Sequence, residues 1–298
     1  MTQPEYSTQI DENYIPPADV SHILRKWLDL PYAALSPSQK LDIYLPDEGD
    51  GPFPVIVYLH GGAFAIGDKR DIYVLSILKS IKHEYALVSV NYRLSGEATF
   101  PAGLQDAKAA LRWVRANSEQ YHLDGDRIAI WGCSSGANFA AMICLTANVS
   151  ELDDLSLGNP EYPCNVQAAV DWFGPTDFLK MDEQLEENGF DTADHGEPGS
   201  PESRYLGAII SDVPLKVELA NPMTYVHEHM PPILIQHGRL DDLVPVQQSM
   251  IFVEKLEKYV NSDRFEFDII EGAGHADPLF ETEKNMERVF SFLDKHLK

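Results

Sequence analysis

A serine with glycine two positions away on either side is the residue in this chain best placed to do chemistry. Ser134 stands in Gly132-Cys133-Ser134-Ser135-Gly136, between the apolar run Arg127 to Trp131 and the small-residue run Ala137 to Leu145. Apolar strand, tight turn and helix form the setting that pushes a hydroxyl out of the backbone as a nucleophile. The turn needs strained backbone, and side chains at the glycine positions would collide as the helix folds back on the strand. The hydroxyl then sits at a helix N-terminus, whose positive end favours developing negative charge. Ser135 is the rival hydroxyl but lacks the symmetric glycines, so its backbone amide is the more useful group.

Serine attacks poorly until a base takes its proton, and the base needs a carboxylate to orient it. Behind a strand–turn–helix serine the acid comes next, after a late strand, and the histidine follows the last one. Both places are filled. The run Ile233 to His237 enters a turn, Gly238 to Pro245, that holds Asp241 and Asp242. The run Phe265 to Ile270 enters Glu271 to Asp277, and His275 alone among ten histidines lies in a Gly-rich loop directly after the final strand. Asp241 sits midway through its turn, although spacing alone does not separate it from Asp242. Asp177, after the preceding strand, is the weaker rival. The tetrahedral oxyanion needs two or three aimed N–H donors. His60-Gly61-Gly62-Ala63-Phe64 follows the strand-like run Val55 to Leu59, and it offers the amides of Gly62 and Ala63 beside that of Ser135.

These residues must be held by a framework, and the rest of the chain supplies one. Short apolar runs at 55–59, 86–90, 128–131, 168–173, 233–236 and 265–270 predict fully buried parallel strands, and 41–45 alternates as a strand. Between them, Leu104, Ala107, Leu111 and Val114 recur at helical steps, as do Val246 to Val260 and Met286 to Leu297. Strands alternating with helices predict an α/β fold, a mostly parallel sheet with helices on both faces. Residues 1–298 read as one domain, with an arm over 1–30 that carries a short helical piece around His22 to Leu28. The stretch 177–230, rich in Asp, Glu, Pro and Gly, reads as a lid-like or cap-like insertion above the sheet.

Composition narrows the partners. Lys and Arg number 23 against 47 acidic residues, a net charge of -24, so nucleic acid and anionic membrane are disfavoured. The oligomeric state is open. Cys133, Cys144 and Cys164 are too few and too scattered for a disulfide framework or a zinc site. His227 and His229 form one H-x-H without further ligand spacing, so no metal and no cofactor is expected. The N-terminal stretch is polar and acidic, without a basic-then-apolar leader, so a cytoplasmic protein is expected unless a leader has been trimmed.

Several stretches together resemble a known group. His60 to Phe64, Asn91 to Leu94, Phe100 to Ala102 and Ala129 to Gly136 are similar to hormone-sensitive-lipase-like α/β hydrolases. Asp171 to Asp177, Ser200 to Ser203, Ala220 to Pro222, Pro231 to Leu234 and His237 to Pro245 resemble the bacterial bifunctional acetylxylan and feruloyl esterase family. The resemblance implies an α/β-hydrolase fold and a serine esterase without cofactor. It implies removal of acetyl or feruloyl groups from xylan-derived or other plant carbohydrate, with a small-molecule or oligosaccharide ester as partner. It places the triad on Ser134, Asp241 and His275. The elbow departs from the family's usual pattern, with Ser135, Gly136 and Ala137 after the nucleophile and Cys133 before it. An arylformamidase shares much of this pattern, so a small-amide hydrolase and a general short-chain carboxylesterase are the alternatives. Phe64, Trp172 and Phe173, aromatics near strand ends, are the candidate substrate platforms.

Overall fold

The run Phe53–Leu59 is buried at every position, a pattern that suits only a strand covered on both faces. The computed structural model describes residues 15–298 and folds this run as β3 of an eight-stranded sheet. The others are β1 Lys26–Pro31, β2 Lys40–Tyr44, β4 Ala86–Val90, β5 Leu123–Cys133, β6 Ala168–Trp172, β7 Ile233–Gly238 and β8 Phe265–Ile270. Their order is β1-β2-β4-β3-β5-β6-β7-β8, with β1 and β2 antiparallel to their neighbours and the rest parallel.

The helices are α1 Val74–Ile77, α2 Ala102–Ala116, α3 Ser135–Thr146, α4 Met181–Glu187, α5 Pro201–Leu206, α6 Pro214–Ala220, α7 Gln247–Tyr259 and α8 Glu283–Leu297. Alternation along β3 sorts them onto two faces. Val55, Val57 and Leu59 share a core with Leu111 of α2, Phe139 of α3 and Phe252 of α7. Ile56 and Tyr58 share the other with Ile77 of α1 and Phe290 of α8. After β3 the chain steps outward to β4 and returns on the far side as β5. The carboxyl ends of β3 and β5 therefore flank the point where winding reverses, where parallel sheets open a crevice for ligands.

Two expectations change in the structure. The segment expected as a helical piece at 22–28 leads instead into β1, with Trp27 opposite Ile43 on β2. Apolar residues at 23, 27, 28 and 30 fit either period, and the open edge of β2 offers ladder partners that an isolated helix of this length lacks. β8 is half-buried throughout, not fully buried, because it is the sheet's other edge. The arm expected over 1–30 is described only from Ile15; residues 1–14 lie outside the described residues. From there Ile72 donates its amide to Pro16, Ala18 donates to Arg70, and Pro17 bridges to Asp71.

The stretch 177–230 forms α4, α5, α6 and short 3-10 turns between β6 and β7. Phe178, Met181, Tyr205, Leu206 and Val217 sink into the core on the α2–α3 side. Asn138 of α3 ties it down by donating to the carbonyls of Pro175 and Ala220. Among the described residues, no helix is long and apolar enough to cross a membrane.

Candidate active site

The end of β5 turns sharply into α3, and Ser134 carries the turn at φ 54° and ψ -124°. Such a backbone is strained for any residue with a side chain. It is held because β5 and α3 run back to back. A Cβ on Gly132 would lie 2.0 Å from the carbonyl oxygen of Gly136, and one on Gly136 would lie 2.2 Å from that of Leu59. Neither glycine tolerates a side chain. The Ser134 amide donates to the Trp172 carbonyl at 2.9 Å, which ties the turn to β6.

Ser134 Oγ lies 3.0 Å from His275 Nε2, and His275 Nδ1 lies 2.8 Å from Asp241 Oδ2. A carboxylate only accepts, so Nδ1 carries the proton and Nε2 is left with a lone pair facing the serine. Asp241 is fully buried and accepts four hydrogen-bond approaches. Oδ1 takes the amides of Leu243 at 3.0 Å and Val244 at 2.8 Å. Oδ2 takes His275 and, at 3.3 Å, His237 Nε2. Burial alone would push its carboxyl up, but hydrogen bonds from His237 and His275 outweigh that and hold it well below the usual carboxylate range.

The rival acids lie elsewhere. Asp242 is exposed, its carbonyl accepting from the Thr192 hydroxyl. Asp177 faces Lys180 at 3.6 Å.

His237 has no role in the motif as spelled, yet it sits wholly buried behind Asp241. Nε2–H donates to the Val244 carbonyl at 2.8 Å, and Nδ1 accepts from the Ser249 hydroxyl at 2.6 Å. It thereby closes the turn that carries Asp241 from behind. The signal was present as the last residue of an apolar strand, where a histidine must be satisfied by partners or excluded.

The loop after β3 approaches from the other side. A Cβ on Gly61 would lie 3.3 Å from Ser134 Cβ. Gly62 at φ 115° and Ala63 at φ 53° hold the left-handed backbone, and a Cβ on Gly62 would run into the Ile66 carbonyl at 2.2 Å. Among the described residues, the amides of Gly62 and Ala63 have no hydrogen-bond acceptor. The Ser135 amide opens α3, where a helix leaves its first N–H groups free. The loop is fixed from beneath by Tyr92, which donates to the His60 carbonyl at 2.6 Å and stacks on its ring at 4.5 Å. Burial pushes the His60 imidazole down, so it stays neutral.

A cavity of about 250 Å³ opens from Ser134, lined also by Gly62, Ala63 and His275. Trp172 and Phe173 line it. Phe64 does not. The left-handed backbone at Phe64, φ 59°, accompanies a side chain sunk into the core, stacked on Tyr205 at 3.9 Å and 2% exposed. The sequence also passed over Tyr73 and Phe280, which line the cavity. Tyr73 stands near the short α1 and Phe280 five residues beyond His275, and neither position carries a motif. No residue of 177–230 lines it.

The three cysteines are free thiols. His229 pairs with Glu228 at 3.3 Å and is exposed. Among the described residues, no three His, Cys, Asp or Glu side chains cluster at metal-binding range.

Comparison with known proteins gives a consistent set of likenesses. The family model for BD-FAE matches residues 41–256. Esterase LipQ of Mycobacterium tuberculosis is 34% identical over 75% of this chain and 51% of its own length. Thus the chain spans about half the length of the curated relatives it matches first. Among solved structures, a truncated carbohydrate esterase from gut microbiota superposes with a TM-score of 0.82 at 30% identity, covering 94% of this chain and 99% of that one. A bifunctional GH43-CE protein of Bacteroides eggerthii superposes at 0.81 with 32% identity, covering 92% of this chain and 35% of that one. The fold is that of the α/β hydrolases.

Proposed function

The chain belongs to the BD-FAE family, and from that premise we propose that it is a serine carboxylic-ester hydrolase acting on acylated carbohydrate. The observation that carries this is the unbroken hydrogen-bond path from Ser134 through His275 to a buried, ionised Asp241, at 3.0 and 2.8 Å. His275 takes the proton from Ser134 as its oxygen attacks the ester carbonyl. Asp241 holds the ring in the reactive tautomer and balances the imidazolium. The oxyanion forms against the amides of Gly62, Ala63 and Ser135, each worth on the order of 3 kcal/mol of transition-state stabilisation. His275 then protonates the leaving alcohol, and water repeats the sequence on the acyl-enzyme to release the acid. The likeness to a carbohydrate esterase over almost all of that protein supports a sugar-borne ester, with acetyl or feruloyl as the group removed.

The test is kcat/KM on acetylated and feruloylated xylo-oligosaccharides and on an aryl acetate, with Ser134→Ala as the blank. A sugar ester turned over nearly as fast as the more reactive aryl ester is the expected result. Aryl acetate alone being cleaved would remove the carbohydrate and leave a general carboxylesterase. A formamide outrunning every ester would move the same residues to amide chemistry.

A further inference from the structure

Ser134, Asp241 and His275 stand at the carboxyl ends of the strands, and a second cavity opens at the opposite end of the sheet. It has a volume of about 790 Å³ and sits where α3 ends and β6, β7 and β8 begin, with the last turn of α8 beside it. β7 is six residues long, so about 20 Å of strand separates this cavity from the turn that carries Asp241. Part of the lining is apolar, with Val149, Val166 and Tyr225. The rest includes Arg264, His227, His229 and His296.

This lining runs against the composition of the chain. Acidic residues outnumber Lys and Arg by 47 to 23, yet no Asp or Glu lines the cavity, while three of the ten histidines do. They come from separate stretches. His227 and His229 lie in the loop before β7, Arg264 directly precedes β8, and His296 ends α8. The fold, not local sequence, gathers them.

Hydrogen-bond accounting shows the same bias. The acceptors around the cavity are taken: the Ala147 carbonyl by the Cys164 thiol, the Pro231 carbonyl by the Cys144 thiol, the Arg264 carbonyl by the Ile233 amide, and Gln167 Oε1 by the Ile128 amide. Among the described residues, the half-buried Arg264 guanidinium, the Gln167 side-chain N–H groups and the His227 ring have no acceptor. The carboxylate two residues past Arg264, Glu266, is held by Arg288 at 2.7 Å and Lys295 at 3.1 Å. His229 has the exposed Glu228 at 3.3 Å. Burial, with the charges of Lys295 and Arg264, pushes the His296 imidazole down against the pull of Glu266 and Asp263. Among the described residues the imidazoles do not converge as metal ligands. An unpaired guanidinium in a donor-rich cavity without carboxylates suits a ligand that brings the acceptors, since the guanidinium fork matches carboxylate and phosphate.

We propose that this cavity is a second binding site, separate from the esterase centre, for a small organic anion carrying two or more carboxylate or phosphate groups. Arg264 takes one anionic group in paired hydrogen bonds, His227 and the Gln167 amide take another, and the carbon body of the ligand lies against Val149, Val166 and Tyr225.

Titration of citrate and of glucose 6-phosphate into the Ser134→Ala protein tests this, at constant ionic strength and read on the imidazole Cε1–H NMR signals, with acetate as the singly charged control. The expected result is saturable shifts of His227, His229 and His296, with citrate or glucose 6-phosphate bound at least about tenfold more tightly than acetate. A response to citrate alone assigns a polycarboxylate, and a response to glucose 6-phosphate alone assigns an organic phosphate. Arg264→Gln should weaken binding by about tenfold or more, and Arg264→Lys by less. Both should leave kcat/KM on an aryl acetate within about twofold of the parent, as for substitutions remote from the chemistry. His227→Gln, at an exposed position, carries the same test if the Arg264 variants do not fold. No saturable shift with either ligand, acetate bound equally well, or unchanged affinity in Arg264→Gln melting like the parent overturns the proposal. Binding is read without turnover, so failure of the esterase reading leaves this result standing.

Discussion

Ser134 divides two regions built on opposite terms. On one side, His275, Asp241 and His237 form a polar network in which each buried group has a partner within 3.3 Å. On the other, Trp172, Phe173 and Phe280 pack on one another with centroids 4.7 to 6.5 Å apart and give the cavity slot an apolar wall. The network fixes geometry by direction, because hydrogen bonds weaken steeply off axis. The slot fixes shape by packing, which tolerates exchange of one apolar group for another of similar size. Chemistry and selectivity are thus separable, and substitutions on the two sides should have different kinetic signatures.

The largest effect expected is at the boundary itself. Ser134→Ala should lower kcat by roughly four to six orders of magnitude with substrate affinity kept, leaving the catalysis due to binding and the oxyanion donors. Steady-state rates on an aryl acetate check it, and activity within tenfold of the parent would sink the assignment. Next comes Asp241→Asn, whose amide presents the wrong group to His275. A loss of about 10³- to 10⁴-fold in kcat is expected, while Asp242→Asn should leave kcat within about twofold, as for a surface substitution. Equal losses in both would break the choice of acid.

His237→Gln probes the network one residue deeper. It should cut kcat by about 10- to 100-fold with little change in KM, and lower stability by on the order of 1–3 kcal/mol through the unpaired Val244 carbonyl and Ser249 hydroxyl. A rise in KM at unchanged kcat would instead assign His237 to substrate binding. On the slot side the signature should invert. Tyr73→Ala, at the exposed mouth, should raise KM several-fold for esters with a bulky arm, on the order of 1 kcal/mol of lost uniform binding, with kcat nearly constant. Identical behaviour of acetate and bulky esters would argue that the arm lies elsewhere.

The finest test compares two buried carboxylates, Asp171 on β6 and Asp241 in the turn after β7. Asp241 has four donors, whereas Asp171 has the Gly174 amide at 2.9 Å. Burial pushes the Asp171 carboxyl up to about 6, the Gly174 bond offsetting only part of it. The unfolded chain releases this proton near pH 4 while the native state keeps it to about pH 6. Its contribution to stability is therefore full at low pH and falls as pH rises from about 4 to 6. Asp171→Asn should flatten that fall and raise stability at pH 7 by on the order of 1 kcal/mol. Asp71, also pushed up to about 6 by burial, keeps its own share of the slope. Denaturant unfolding at pH 4.5 and pH 7 measures it, and an unchanged slope would place the Asp171 proton elsewhere.

The polar side was largely legible before folding. Gly132, Ser134 and Gly136 announce a turn that has no room for side chains, and the late strands point to Asp241 and His275 by order along the chain. Each of those groups lies within a few residues of the strand end that aims it. The slot was legible in part. Trp172, the last residue of β6, and Phe173 beside it were singled out and line the cavity, but Phe64 packs into the core, and Tyr73 and Phe280 were passed over. Pocket walls are made of ordinary hydrophobic residues, and in sequence a wall residue and a core residue look alike. The helical piece expected near residue 22 failed for a related reason, since only the open edge of β2 converts that ambiguous spacing into β1.

What the sequence determined by itself is whatever rests on local backbone demands and strand periodicity: the alternating α/β framework, the elbow at Ser134, and the loops that deliver Asp241, His275 and the Gly62–Ala63 amides. Tertiary structure alone decided which of Asp241 and Asp242 turns inward, that His237 closes the acid's turn, and that Phe64 packs away from the cavity while Phe280 faces it. The physical reason is range. Turn strain and side-chain period act over a few residues and are written in the sequence, whereas burial and hydrogen-bond satisfaction depend on neighbours that meet only once the sheet has closed its two cores.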